Sequence, residues 1–160
     1  MGAGKTTIGR QIARNLAFDF FDSDKEIEQR TGVSIPLIFE LEGEKGFRKR
    51  EQEVISELTK KNRIVLATGG GAVLGAENQK ILKRSGIVVY LRAGIDDLLE
   101  RTAKDKNRPL LQTADPRAKL QSILTEREPI YSDLADIILA TNKMTVHAAV
   151  KALETLINER

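Results

Sequence analysis

The opening residues constrain this chain most. Met1-Gly2-Ala3-Gly4-Lys5-Thr6 supplies the last six positions of the phosphate-binding loop pattern G-x-x-x-x-G-K-[ST]. From Lys5 onward, apolar residues fall at Ile8, Ile12, Ala13 and Leu16, the spacing of one helix face. A glycine-rich turn that runs straight into a helix gathers backbone N–H groups and the positive end of the helix dipole around an anion. Gly4 stands where a Cβ would collide with phosphate or force a strained positive φ. In the complete device Lys5 bridges the β- and γ-phosphates and Thr6 ligates Mg²⁺. Taken alone, the fragment is equally what a chance G-K-T at a flexible terminus looks like, because the pattern's first glycine and one further residue are absent.

The rest of the chain alternates strand and helix signals. Residues 18–21 read as a short strand, and Ser23-Asp24-Lys25-Glu26 as a capping box in which Ser23 and Glu26 satisfy free amides at a helix start. The box places Asp22 and Asp24 at a strand-to-helix junction. Ser34 caps a further short helix with Pro36 in its first turn, and Gly43 ends it before a longer helix over about 44–61. Residues 63–68 form a compact apolar run stopped by Gly69-Gly70-Gly71, as in a parallel strand buried on both faces. A second such strand covers 87–91, a helix 95–103, a polar loop 104–116, a helix 117–127, a last strand 136–140 and a closing helix 146–157. This order predicts an α/β fold, an open parallel sheet with helices on both faces, as one domain over 1–160.

Composition narrows the function classes. At 160 residues with 41% hydrophobic and 31% charged residues, the chain matches one ordinary globular domain, and no apolar run approaches the roughly 20 residues of a bilayer span. No basic segment followed by an apolar stretch opens the sequence, and the absence of Cys excludes disulfides and thiolate metal sites, so a cytoplasmic enzyme is expected. The net charge of +3 raises the question of nucleic acid. However, Lys45, Arg48, Lys49, Arg50, Lys60, Lys61 and Arg63 are interleaved with Glu44, Glu51, Glu53 and Glu57, the pattern of a solvated helix face. Neither nucleic acid nor membrane is expected as a partner.

Six pieces in order carry more than any one of them: Met1 to Arg10, Asp22-Ser23-Asp24, Gly43 to Glu51, Gly69-Gly70-Gly71, Asn107-Arg108-Pro109-Leu110, and Glu126-Arg127-Glu128-Pro129-Ile130-Tyr131. This ordered set resembles bacterial shikimate kinase, a P-loop kinase family, over essentially the whole chain. The resemblance implies transfer of the γ-phosphate of ATP, with Mg²⁺, to the 3-hydroxyl of shikimate, by a monomer. It assigns the nucleotide to Gly2, Ala3, Gly4, Lys5, Thr6, Thr7, Arg101 and Arg108, and the metal to Thr6 and Asp22. It makes Asp24 the general base on the acceptor hydroxyl, with Lys5 and Arg108 as further catalytic groups. Arg48 and Arg127 clamp the substrate carboxylate, Glu51 fixes Arg48 by an i,i+3 contact, and Gly69, Gly70 and Gly71 line the substrate. Substrate-binding helices lie at about 23–61 and a lid at about 104–116. Phe39 and Phe47 either wall the substrate or belong to the core. The family's usual acidic residue after the second nucleotide-motif strand is here Thr68, and the lone His147 takes no role.

Other readings are a gluconate or nucleoside monophosphate kinase, or a nucleotide-binding protein without turnover. The resemblance carries a structural expectation as well. The family sheet has strand order 2-3-1-4-5, and its central first strand would precede Met1 in roughly ten further residues. Without that strand, two neighbours keep unpaired backbone groups beside a groove in the core. Each such group costs about 1–3 kcal/mol against a total stability of about 5–15 kcal/mol, so the chain as given is expected to be poorly stable.

Overall fold

The computed structural model describes residues 2–103 and 111–160. Helix α1 (Lys5–Leu16) leads to strand β1 (Asp19–Asp22) and helix α2 (Ser23–Thr31), followed by α3 (Ile35–Leu58) and β2 (Ile64–Ala67). A 3₁₀ turn over Gly70–Leu74, helix α4 (Ala76–Ser85), strand β3 (Val89–Arg92) and helix α5 (Ile95–Thr102) come next. Helix α6 (Pro116–Leu134), strand β4 (Ile137–Ala140) and helix α7 (Val146–Asn158) complete the chain. The expected α/β order is present. The expected break at Gly43 is a kink inside α3, where the backbone turns out of the helix with φ 70° and ψ 179°. Helix α4 was not anticipated, and α6 continues through Pro129 to Leu134, seven residues beyond the expected end at 127.

The period of two in the strands sorts side chains between two helical layers. On β2, Val65 packs into the cluster of Ile8, Ile12, Ala149, Val150 and Leu153 from α1 and α7. Its neighbour Leu66 packs on the opposite side, against Ile27, Ile38, Phe47, Val54 and Leu58 from α2 and α3. On β3, Val89 and Leu91 join the α1/α7 cluster, while Tyr90 points the other way and meets the Tyr131 ring of α6 at 4.9 Å. Strands with a helical layer on each side explain why they read as continuous apolar runs.

The strands form two separate parallel pairs. β1 pairs with β2, in register Asp19↔Ile64 through Asp22↔Ala67, and β3 with β4, in register Val89↔Ile137 through Arg92↔Ala140. β2 and β3 do not hydrogen-bond to each other. Between them runs a channel of about 530 Å³, walled by Ile12, Val65, Leu66, Val89 and Leu91 and reaching Lys5, Gly69, Gly70 and Tyr131. The groove expected at the centre of the sheet is therefore present.

In a strand paired on one side, only the amides aimed at the partner are protected. Hydrogen exchange followed by NMR should alternate along Ile64–Ala67 and Val89–Arg92, with channel-facing amides exchanging at least about tenfold faster than paired ones. Uniformly slow exchange along both strands would mean that the channel is closed in solution.

Candidate active site

The phosphate loop is shaped by its glycines. Gly2 and Gly4 hold φ of 67° and 88°, and the Gly4 carbonyl accepts the Ile8 N–H at 2.9 Å, so the turn ends directly in α1. Ala3 is buried against Leu98 and Leu120, which moors the loop to α5 and α6. Arg101, at the end of α5, donates to the Gly2 carbonyl at 3.2 Å. Lys5 is half-buried as the first residue of α1, and Thr7 is exposed.

Asp22 joins this loop to the next element. Its Oδ2 accepts from the Thr6 hydroxyl at 2.8 Å, and its Oδ1 accepts the N–H groups of Asp24 at 3.0 Å and Lys25 at 3.2 Å. The helix cap is thus Asp22 and not Ser23. Ser23 is buried completely, and its hydroxyl accepts the Gly69 N–H at 3.3 Å, tying the start of α2 to the end of β2. The two oxygens of the Asp22 carboxylate divide the work, one capping the helix and the other holding the Thr6 hydroxyl.

A second set of side chains surrounds the glycine run. Arg48 donates to Glu51 Oε1 at 3.0 Å and to Glu44 Oε1 at 3.2 Å, and its guanidinium lies 5.1 Å from the Phe47 ring centroid. A Cβ on Gly71 would overlap that guanidinium, and one on Gly69 would stand 3.0 Å from Asp24 Oδ1 and 3.2 Å from Glu51 Oε2. The glycines are thus required by close approach: Arg48 lies against Gly71, and two carboxylates converge beside Gly69. The Gly70 carbonyl accepts the Tyr131 hydroxyl at 2.7 Å, which links this turn to α6.

The electrostatics of this pocket are unusual for a protein interior. Arg127 is only 4% exposed, its Nε has no hydrogen-bond partner, and among the described residues no carboxylate pairs with it. Glu51 is fully buried. Burial pushes its carboxyl up to about 7, against the opposing pull of Arg48 and Arg127 and with a smaller upward push from Asp24. Burial likewise raises the Tyr131 hydroxyl, opposed by Arg127 and Arg48. Both guanidiniums therefore act on the same small volume around Glu51 and Tyr131.

The structure brings Asp24, Arg48, Gly69, Gly70, Gly71 and Arg127 together, and separately joins Thr6 to Asp22 and Arg101 to Gly2. Arg108, with the rest of 104–110 and most of the expected lid, lies outside the described residues. Phe47 is a core residue, 4% exposed and packed on Phe39 at 4.9 Å, which settles the choice left open for that ring. His147 is exposed on α7. Sequence reasoning placed Glu51 only beside Arg48 and missed its complete burial. The signal was present: with Phe47, Val54, Ile55 and Leu58 it occupies one stripe of α3, a glutamate at a core position. Tyr131 was noted only as part of a motif, and the linking role of Ser23 was mistaken for a cap.

The comparisons agree with this geometry. The family model described as shikimate kinase matches residues 1–157. The chain is 58% identical over 153 residues to a shikimate kinase of Methylococcus capsulatus, covering 96% of this chain and 86% of that protein. It is 54% identical over 153 residues to that of Bordetella pertussis, covering 96% and 72%. Among solved structures, a shikimate kinase from Acinetobacter baumannii in complex with shikimate superimposes with a TM-score of 0.96 at 49% identity, over 100% of this chain and 90% of that one. One from Aquifex aeolicus gives 0.83 at 34% identity, over 99% and 92%. The family match over nearly the whole chain and the identities above 50% show that this chain belongs to the shikimate kinase family.

Proposed function

We propose that the chain moves the γ-phosphoryl group of ATP to the 3-hydroxyl of shikimate, the reaction of its relatives in aromatic amino-acid biosynthesis, with the residues described above in the following roles. The observation that carries the reading is the buried Arg127, which has no carboxylate bonded to it among the described residues and acts with Arg48 on the same Tyr131 and Glu51. A guanidinium removed from water without a counter-charge calls for one from a ligand, and its planar fork suits a carboxylate. Shikimate is a carboxylated cyclic polyol, whereas the acceptors of other small P-loop kinases do not combine a ring carboxylate with a hydroxyl in the same way.

Asp24 stands on the Gly69 side of this clamp and takes the acceptor proton as the hydroxyl oxygen forms its bond to phosphorus and ADP leaves. The amides from Gly2 to Thr7 hold the phosphates, and the Lys5 ammonium stabilises negative charge on the transferring group. Arg101, anchored on the Gly2 carbonyl, flanks the adenine side. Arg108, which lies outside the described residues, is assigned further positive charge on the transferring group by the family likeness. Thr6 and Asp22 are adjacent hard oxygen donors at the mouth of the loop, a set that fits Mg²⁺ with the remaining positions left to water and phosphate. When bound, the ion neutralises charge on the β- and γ-phosphate oxygens. Among the described residues no group of three or more His, Asp or Glu could hold a metal, so the protein's share of the ligands is small. None of the described helices is long and apolar enough to cross a membrane.

Two variants separate the sites. Gly71→Ala forces Arg48 off its seat, and Arg127→Met removes the buried charge. Each should raise the KM for shikimate by more than about tenfold while the KM for ATP stays within about twofold. Equal loss for both substrates would contradict the assignment of these arginines to the acceptor. Lys5→Ala should lower kcat by about a hundredfold or more with the far-UV circular dichroism unchanged, and an unchanged kcat would remove Lys5 from the chemistry.

A further inference from the structure

Among the described residues Glu51 is the one fully buried carboxyl, and none of the roles above uses more than half of it. Its Oε1 accepts from Arg48 at 3.0 Å, but its Oε2 is buried without a hydrogen-bond partner. That oxygen is aimed at the space beside Gly69, where a Cβ would stand 3.2 Å from it and 3.0 Å from Asp24 Oδ1. An acceptor oxygen buried without a donor is a costly arrangement, and a proton on Oε2 relieves it. We propose that Glu51 is a positioning residue that works in its protonated form: Oε1 braces Arg48, Oε2–H is directed to the Asp24 side of Gly69, and the full charge of Arg48 is left for the carboxylate of the substrate.

The groups that face Glu51 are Arg48 on its own helix, Asp24 on α2 and Arg127 on α6. The two guanidiniums favour ionisation, whereas complete burial and Asp24 oppose it, and the carboxyl is pushed up to about 7, so that the neutral acid is the main form below neutrality. Loss of the proton would neutralise Arg48 from within and set a second negative charge beside Asp24. Both changes oppose entry of an anionic substrate. Shikimate affinity should therefore fall as pH rises through neutrality, although neither Arg48 nor the substrate carboxylate changes charge there. The folded-state pKa is raised, so the same group contributes stability that is present below its ordinary range near 4.5 and lost as pH rises through about 7.

The inference rests on shikimate being the acceptor, so one arm of the test is independent of it. Binding is measured by calorimetry with shikimate alone, since ATP phosphates titrate in the same range. In the unaltered protein, Kd for shikimate should rise by about tenfold or more from about pH 6 to about pH 8.5. Glu51→Gln keeps the acceptor to Arg48 and supplies a permanent donor in place of Oε2–H. It should bind as tightly as the low-pH form and show no pH dependence. Glu51→Ala loses the brace and should bind weakly at every pH. The second arm is a ¹³C NMR titration of the Glu51 carboxyl in the free protein, expected to move near pH 7. A midpoint below about pH 5, or a Gln variant that keeps the rise in Kd, overturns the proposal. A midpoint near 7 with no measurable shikimate binding at any pH would instead contradict the acceptor assignment, and leave the protonated Glu51 standing.

Discussion

A guanidinium enclosed by protein must have its charge answered, and the shape of this site follows from how the fold answers two of them. Arg48 is answered in part, by Glu44 at the rim and by Glu51, whose burial pushes its carboxyl up to about 7. Arg127 is answered less: among the described residues no carboxylate bonds to it, and it acts together with Arg48 on Glu51 and on the Tyr131 hydroxyl. Had either arginine been given an ordinary buried carboxylate, the pair would have been self-sufficient and indifferent to a ligand. The three glycines complete the arrangement. With no side chains of their own they let Arg48 lie on the backbone at Gly71 and let Asp24 and Glu51 approach each other at Gly69. The folded protein thus sets two guanidiniums next to the carboxyl groups of Glu51 and Asp24.

The divided sheet leaves this arrangement intact for a topological reason. The candidate acceptor residues come from the head of α2, the part of α3 beyond the Gly43 kink, the carboxyl end of β2 and the buried face of α6. Ser23 joins α2 to Gly69, and Asp22 joins the same junction to Thr6 of the phosphate loop. These bonds fix the acceptor and nucleotide halves to each other without passing through the sheet. The channel instead bears on stability, because it separates β2 from β3 and leaves Val65, Leu66, Val89 and Leu91 lining open space. Apolar surface of that kind contributes little of the burial energy that a continuous core would provide.

The parts of this structure that were legible in the sequence are those set by period and punctuation. The helix at 5–16, the strand before Gly69 and the closing helix follow from apolar spacing and stop signals, and the split of the sheet followed from the family's strand order. Elements governed by tertiary partners were not legible. Ser23 looks like a cap because serine usually caps, but burial under Gly69 gave its hydroxyl another partner and passed the cap to Asp22. Helix α6 runs past Pro129 because Tyr131 and Leu134 continue its buried face, outweighing the one N–H that proline lacks. Helix α4 has a buried polar Asn78 bonded to the Ala72 carbonyl, and its apolar stripe is too sparse to announce itself. Glu51 shows the limit most clearly: its charge suggests a surface residue, its spacing places it in the core, and only the packed structure decides between them.

The account stands or falls on the identity of the acceptor. The direct test is release of ADP from ATP measured with shikimate, with gluconate and with a nucleoside monophosphate at matched concentrations, followed by mass analysis of the acceptor. The expected result is release that depends on shikimate and yields a singly phosphorylated product, with the other two at background. ADP release that is indifferent to shikimate, or equal with gluconate, would contradict it.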